Sequence, residues 1–375
     1  MKKNIVIACQ SYGHLVRDII KVYVNNGFNV TLISSKNEWI SLENDLPADV
    51  CIKYVISYDK SSYVKRLLTW IICAIQMWVK IFFFHREAEL LLVSNPPLAP
   101  LLPRLLPNKF SLLIWDVYPD VLVRQRLLSR NNFLVKWWGQ QNKIVFEKAK
   151  KVYTISQGMK DCLMQYVDES KIKVFSLWPN DNMFRVDKKD NRFIKDQGLE
   201  GKFVVLYSGN LGITHRMDVL LDVAQLVDDC DIEYVLIGEG GKKKMIEDRI
   251  ARENIKNVRL LPFQSLEMLP HSLSSADIAV ITLDSSSSAI SVPSKTYNLM
   301  SVGAPLLCIA SPESELGIII RENEVGGIYP PDDTRGIAQF IIKLKNNDDI
   351  RDKYSRNSLE ASKKYTNENA KIFLD

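Results

Sequence analysis

The chain has 375 residues, 46% hydrophobic and 25% charged, with a net charge of +5. That length exceeds one core and points to two domains, and the composition is that of a soluble globular protein. Six cysteines without a CxxC and only four histidines exclude a disulfide framework and a His-rich metal site. The N-terminus, MKKNIVIACQ, runs straight into a strand, so no secretory leader is expected. The charge is split: residues 1–176 hold 24 Lys+Arg against 14 Asp+Glu, and the rest hold 25 against 30. A basic first half calls for an anionic partner, with a membrane surface and nucleic acid as the two classes.

Short apolar runs alternate with helix-like segments along the whole chain. The first half predicts strands at 5–9, 29–34, 50–56, 90–93, 112–115, 152–155 and 172–175, with helices at 14–26, 64–84, 134–148 and 157–166. The second half predicts strands at 203–208, 234–237, 258–261, 278–281, 306–309 and 327–329. Its helices are expected near 217–227, 243–253, 266–274, 295–302, 314–321 and 335–345. Such alternation implies parallel sheets covered on both faces. The expected organisation is a domain over 1–178, a polar connection over 179–202, a second domain over 203–360, and a C-terminal helix over 361–375 that packs back on the first domain. Two doubly wound domains facing each other place a ligand in a cleft at the carboxyl ends of their strands.

The run Leu67–Phe84 (LLTWIICAIQMWVKIFFF) is nearly long enough to span a membrane, yet Gln76 and Lys80 interrupt it. Three readings are open: a helix lying at a membrane interface, a buried core helix, and a true span. Basic flanks and interleaved aromatics suit the first.

Four turns at predicted strand ends carry the chemistry. Gly209-Asn210-Leu211-Gly212 ends the first strand of the second half, with His215 and Arg216 at the head of the next helix. Gly238-Glu239-Gly240-Gly241 ends the next strand, and Phe263 stands after the third, where a ring could lie beside a base or fill the core. The segment VPSKTYNLMSVGAP, from Val292 to Pro305, reads as a helix start with Ser294 as cap or Pro293 in the first turn. A helix start offers free N–H groups to an anion, and Lys295 adds a full charge. Neither a GxGxxG fingerprint nor a P-loop is present, which removes the usual signatures of hydride transfer and ATP hydrolysis. In the first half, Asp116 and Asp120 of WDVYPD follow a strand, as a hydroxyl-orienting carboxylate or a helix cap. Gly13 and His14 follow the first strand and share that edge. Asp229-x-Asp231 reads as a solvated turn.

The order YSGNLG, LIGEGG, NVRLLPF, SADIAVITL, VPSKTYNLMSVGAP and GGIYPPDD, with NPPLAPLL, IWDVYPD and VYTISQGMK before it, resembles the retaining glycosyltransferases of family 4. The branch it is most similar to is that of bacterial polysaccharide transferases with a V-P-S-K segment, including the fucosamine-transferase-like ones. The resemblance implies a GT-B fold: two Rossmann-like domains across a cleft, acceptor side first and donor side second. It implies a donor diphosphate held at Gly209–Gly212 and at Ser294–Thr296, with Arg216 and Lys295 as cations and Asn210 and His215 where many members carry Arg and Lys. Gly238, Glu239, Gly240 and Phe263 would contact the nucleoside.

The family's glutamate pair falls here on Ile290 and Asn298, so Asn298 is left to hydrogen-bond the ribose. The implied activity is transfer of a hexose or aminohexose with retention from a nucleoside-diphosphate sugar, UDP being the expected base. The expected acceptor is a lipid-linked saccharide of capsule or O-antigen, reached from the cytoplasmic side of an anionic membrane. Asp116, Lys295 and Arg216 would carry the catalysis, while Gly13, His14 and Asp120 would face the acceptor. No metal, cofactor or nucleic acid is expected. Two alternatives stand beside this: a nucleotide-sugar 2-epimerase of the same fold, and a non-catalytic nucleotide-sugar-binding partner of an active transferase.

Overall fold

The structure, a computed structural model, describes residues 2–36, 45–59, 61–212, 215–284 and 292–375. They group into two compact units, Met1–Ser176 with Asn367–Asp375, and Leu177–Thr366.

Among the described residues, the first unit holds a seven-stranded parallel sheet. Its strands are β1 (Asn4–Ala8), β2 (Asn29–Ser35), β3 (Cys51–Val55), β4 (Glu89–Val93), β5 (Phe110–Ile114), β6 (Val152–Thr154) and β7 (Ile172–Val174), in the order β3-β2-β1-β4-β5-β6-β7. Central strands are apolar at consecutive positions because helices cover both faces: Ile5–Ala8 and Leu90–Val93 are buried throughout. Chain direction across the sheet reverses between β1 and β4, which opens a crevice at their carboxyl ends.

The second unit repeats the plan with β8 (Phe203–Ser208), β9 (Ile232–Ile237), β10 (Val258–Leu261), β11 (Ile278–Thr282), β12 (Leu306–Ile309) and β13 (Gly326–Tyr329), in the order β10-β9-β8-β11-β12-β13. Its switch point lies between β8 and β11. The predicted α/β doubly wound class is therefore the observed one, with strand ends displaced by one or two residues.

Among the described residues, three α-helices were not expected from the sequence. Asp120–Arg124 is short and lies in the WDVYPD turn. Arg192–Gln197, inside the polar stretch 179–202, is capped by the Asn191 side chain and stopped by Gly198 in a left-handed conformation. Asp348–Ser362 begins on an Asn347 cap with Asp348 and Asp349 in its first turn. Its apolar periodicity is weak, so caps rather than pattern mark it.

After this helix the chain forms a 3-10 turn, Asn367–Leu374, grouped with the first unit. There Tyr23 Oη donates to the Phe373 carbonyl at 2.7 Å, and the Phe373 ring packs 4.3 Å from Tyr153 and 5.2 Å from Phe175. Phe373 is thus part of the first unit's core. Phe373→Ala should destabilise the protein by about 3–5 kcal/mol in chemical denaturation.

Candidate functional site

The second unit's site is built from two glycine turns locked backbone to backbone. Gly209 N–H donates to the Ile237 carbonyl at 2.9 Å, and Gly238 N–H donates to the Leu261 carbonyl at 2.9 Å. The Leu211 N–H then reaches the Glu239 carbonyl (2.8 Å), and the Lys242 N–H reaches the Leu211 carbonyl (2.9 Å). Gly238 and Gly240 both have φ of +155°. A Cβ on Gly238 would lie 1.9 Å from the Gly209 carbonyl oxygen, and one on Gly240 would lie 2.5 Å from that of Leu211. Glycine is required twice over, for dihedral and for space. Tyr207 Oη fixes the first turn by donating to the Asn210 carbonyl at 2.7 Å.

Beneath this turn sits Lys295. The residue keeps some exposed surface, but its ammonium is fully buried and has no hydrogen-bond partner among the described residues. It lies 3.9 Å from the centroid of the Tyr207 ring and close enough to Gly209 that a Cβ there would be 2.8 Å from Nζ. Burial pushes its pKa down to about 7. The ring's negative face offsets part of the charge and leaves the rest uncompensated. The neighbouring Thr296 hydroxyl is also buried and unpartnered. A charge and a hydroxyl that lack partners, under a turn whose geometry is fixed, suit an anionic ligand.

The sequence places the expected anion grip on the Ser294–Thr296 helix start together with Lys295, and in the structure the two differ in what is left unpaired. Ser294 has helical dihedrals and caps nothing, and Pro293 precedes the helix Lys295–Ser301 rather than opening it. Two N–H groups expected to be free are engaged: Thr296 donates to Pro293 (2.9 Å) and Tyr297 to Ser294 (3.2 Å). Both N–H groups are thus taken up by tight turns at the helix start.

Around Lys295 the other candidates differ in availability. His215 Nδ1 lies 3.0 Å from the Thr282 carbonyl, and burial together with the Lys295 charge pushes its pKa down. Arg216 forms a two-pronged pair with Asp218 at 2.8–3.1 Å, which neutralises it. Lys242, missed from the sequence, donates to the His215 carbonyl at 2.8 Å and places an ammonium beside the turn. Its position directly after GEGG is the signal that could have found it. Glu239 is paired with Lys243 at 2.7 Å. Asn298 Oδ1 accepts the Asn180 N–H at 2.9 Å, so that oxygen has a structural partner. Phe263 is 50% exposed beyond β10 and is not a core residue. Gly212 lies against the Asn210 amide. Ile290 lies outside the described residues. Asp229 and Asp231 both pair with Lys345 at the edge of the unit.

In the first unit the Ser94 hydroxyl accepts the N–H groups of Trp115 (2.9 Å) and Asp116 (3.3 Å), tying the ends of β4 and β5 together. The Asp116 side chain reaches solvent from a recess, where desolvation raises its pKa, and no side-chain or backbone donor among the described residues bonds it. Asp120 differs: Tyr166 Oη donates to it at 2.6 Å and Gln165 Nε2 at 3.1 Å, a packing role in the first turn of its helix. Gly13 has an extended backbone with open space beside it, and His14 begins the helix His14–Asn25. Gly13, His14 and Asp116 thus share the carboxyl edge of the sheet near its switch point.

Gly238→Ala should cost about 3 kcal/mol of stability in thermal or chemical unfolding, while Gly13→Ala should be neutral.

Residues 189–361 match the family described as Glycosyl transferases group 1. WbjE of Pseudomonas aeruginosa, described as a probable glycosyltransferase, is 28% identical over 306 residues, covering 78% of this chain and 75% of its own. The structure of Anabaena HepE in complex with UDP-glucose has a TM-score of 0.74 at 13% identity over 99% of this chain and 98% of that one. WaaG, a glycosyltransferase involved in lipopolysaccharide biosynthesis, has a TM-score of 0.69 at 12% identity, over 96% and 95%. The fold is that of the GT-B glycosyltransferases, and the stretch that matches the glycosyl transferases group 1 family, residues 189–361, holds both glycine turns and Lys295.

Proposed function

We propose that the protein transfers a hexosyl or aminohexosyl group, with retention, from a UDP-sugar to a lipid-linked saccharide of a cell-surface polysaccharide, as a member of family 4. The work takes place at the cytoplasmic face of the plasma membrane. The observation that carries this reading is the buried, unpartnered Lys295 ammonium beneath the Gly209 turn. A diphosphate supplies the missing counter-charge, and HepE, of the same fold, is a UDP-glucose complex.

In the reaction, the bond from the anomeric carbon to the β-phosphate oxygen breaks. A bond to the acceptor oxygen forms on the same face, and the hydroxyl proton passes to the departing phosphate beside it. Negative charge grows on that phosphate, where Lys295 and Lys242 meet it with preorganised positive charge. Those two ammonium groups take the part a divalent cation plays elsewhere, so no metal is required. Asp116 accepts a hydrogen bond from the acceptor and orients it. Phe263 offers a face to the base.

UDP should raise the melting temperature more than GDP or dTDP, and Lys295→Ala should lose most of that response; an unchanged response removes Lys295 from the site. Lys295→Met should melt higher than the parent without ligand, because it removes a buried charge, and still fail to respond to UDP.

The lowered pKa of Lys295 gives donor binding a pH dependence. The free amine is half-protonated near pH 7, and a bound diphosphate favours the ammonium. Affinity for a UDP-sugar should be flat below about pH 7 and fall by up to about tenfold per pH unit above it. A flat calorimetric profile to pH 9 would exclude the linkage.

A further inference from the structure

The helix Tyr63–Phe84 is packed with its apolar side outward. Val64, Leu67, Leu68, Ile71, Ile75 and Phe83 are exposed, whereas Cys73, Met77 and Ile81 face the unit. The helix is long and apolar enough to cross a membrane, yet most of it is not buried. Trp78 Nε1 donates at 3.3 Å to the carbonyl of Leu105, itself exposed. The helix carries no acidic residue, and Lys65, Arg66 and Lys80 are its charges.

Arg66 and Trp70 lie on the helix line that continues to Cys73, Met77 and Ile81, opposite the aliphatic stripe. Its guanidinium stands 5.1 Å from the Tyr63 ring and 5.2 Å from that of Trp70. Tyr58 stacks on Trp70 at 5.9 Å, Trp70 meets Tyr118 edge-on at 6.2 Å, and Tyr118 stacks on Trp138 at 5.8 Å. Tyr118 is two residues from Asp116, and the charges of Asp116 and Arg66 both act on its phenol. No carboxylate pairs with Arg66 among the described residues, while Lys65 takes Asp59 at 4.0 Å. An arginine without a carboxylate therefore stands at one end of an aromatic wall, with the free Asp116 carboxylate near the wall's centre.

We propose that this end of the helix is the docking site of the acceptor: the aliphatic stripe lies in the acyl layer of an anionic leaflet, Arg66 holds a phosphate of a lipid diphosphate, and Trp70, Tyr118 and Trp138 line the path of its saccharide to Asp116. The identity of the acceptor rests on the transferase reading above. An interfacial helix sits at headgroup depth, where the phosphates of a lipid diphosphate also lie. A guanidinium binds phosphate through paired N–H groups, and here it is held over the Tyr63 and Trp70 rings and by a hydrogen bond to the Tyr58 hydroxyl. Aromatic faces suit the C–H faces of a sugar. The outward stripe supplies membrane affinity, and the inward arginine selects one lipid from it.

The test is flotation of the full chain with three vesicle types: phosphatidylcholine alone, phosphatidylcholine with polyprenyl diphosphate, and phosphatidylcholine with phosphatidylglycerol at matched charge. Polyprenyl diphosphate should strengthen binding about tenfold over phosphatidylglycerol. Arg66→Gln should lose that increment and keep the binding to phosphatidylglycerol vesicles. Leu67→Glu with Ile71→Glu should lose binding to all three. The proposal is overturned if Arg66→Gln keeps the increment, or if phosphatidylglycerol gives the same strengthening. Each variant should retain the parent's thermal response to UDP, which shows that it is folded. A wild-type chain that ignores UDP yet shows the Arg66-dependent increment would sink the transferase reading alone.

Discussion

Everything in the second unit's site follows from one unfavourable placement: an ammonium group removed from water without an anion to meet it. Only a rigid frame can hold such a group, since a side chain free to move would return to solvent. The frame is the interlocked pair of glycine turns with the Tyr207 ring, whose hydroxyl is fixed to Asn210 and whose face carries Lys295. An anion beside the ammonium would offset that cost, so the placement favours a ligand by its charge rather than by its shape.

The same economy of fixed parts appears in the first unit. One hydroxyl, that of Ser94, joins two strand ends and sets the backbone of Asp116. The carboxylate stays unbonded while its neighbour Asp120 is consumed by Tyr166 and Gln165. Two aspartates four residues apart in one motif thus have opposite fates, one available and one structural.

Much of the fold was legible because its strands are buried on both faces and read as unbroken apolar runs. The exceptions are elements defined by caps: Asp348–Ser362 and Arg192–Gln197 are marked by asparagines rather than by periodicity. In the site, Gly209, Gly238, Gly240 and Lys295 were legible because turn chemistry and charge are local. Lys242, Tyr207 and the pairing of Arg216 with Asp218 were not, since they depend on which side chains a folded turn brings within reach. Asn298 shows the limit most clearly. Its chemistry suited a ribose hydroxyl, but its oxygen is engaged by a backbone N–H 118 positions away.

The 3-10 turn at Asn367–Leu374 makes the first unit discontinuous in sequence. Phe373 closes over Tyr23 and Tyr153 from beyond the whole stretch Leu177–Thr366 that forms the second unit. The second unit is one unbroken segment, whereas the first draws on two. No single cut of the chain therefore separates them with both cores whole: a break after Ser176 leaves the first without its Phe373.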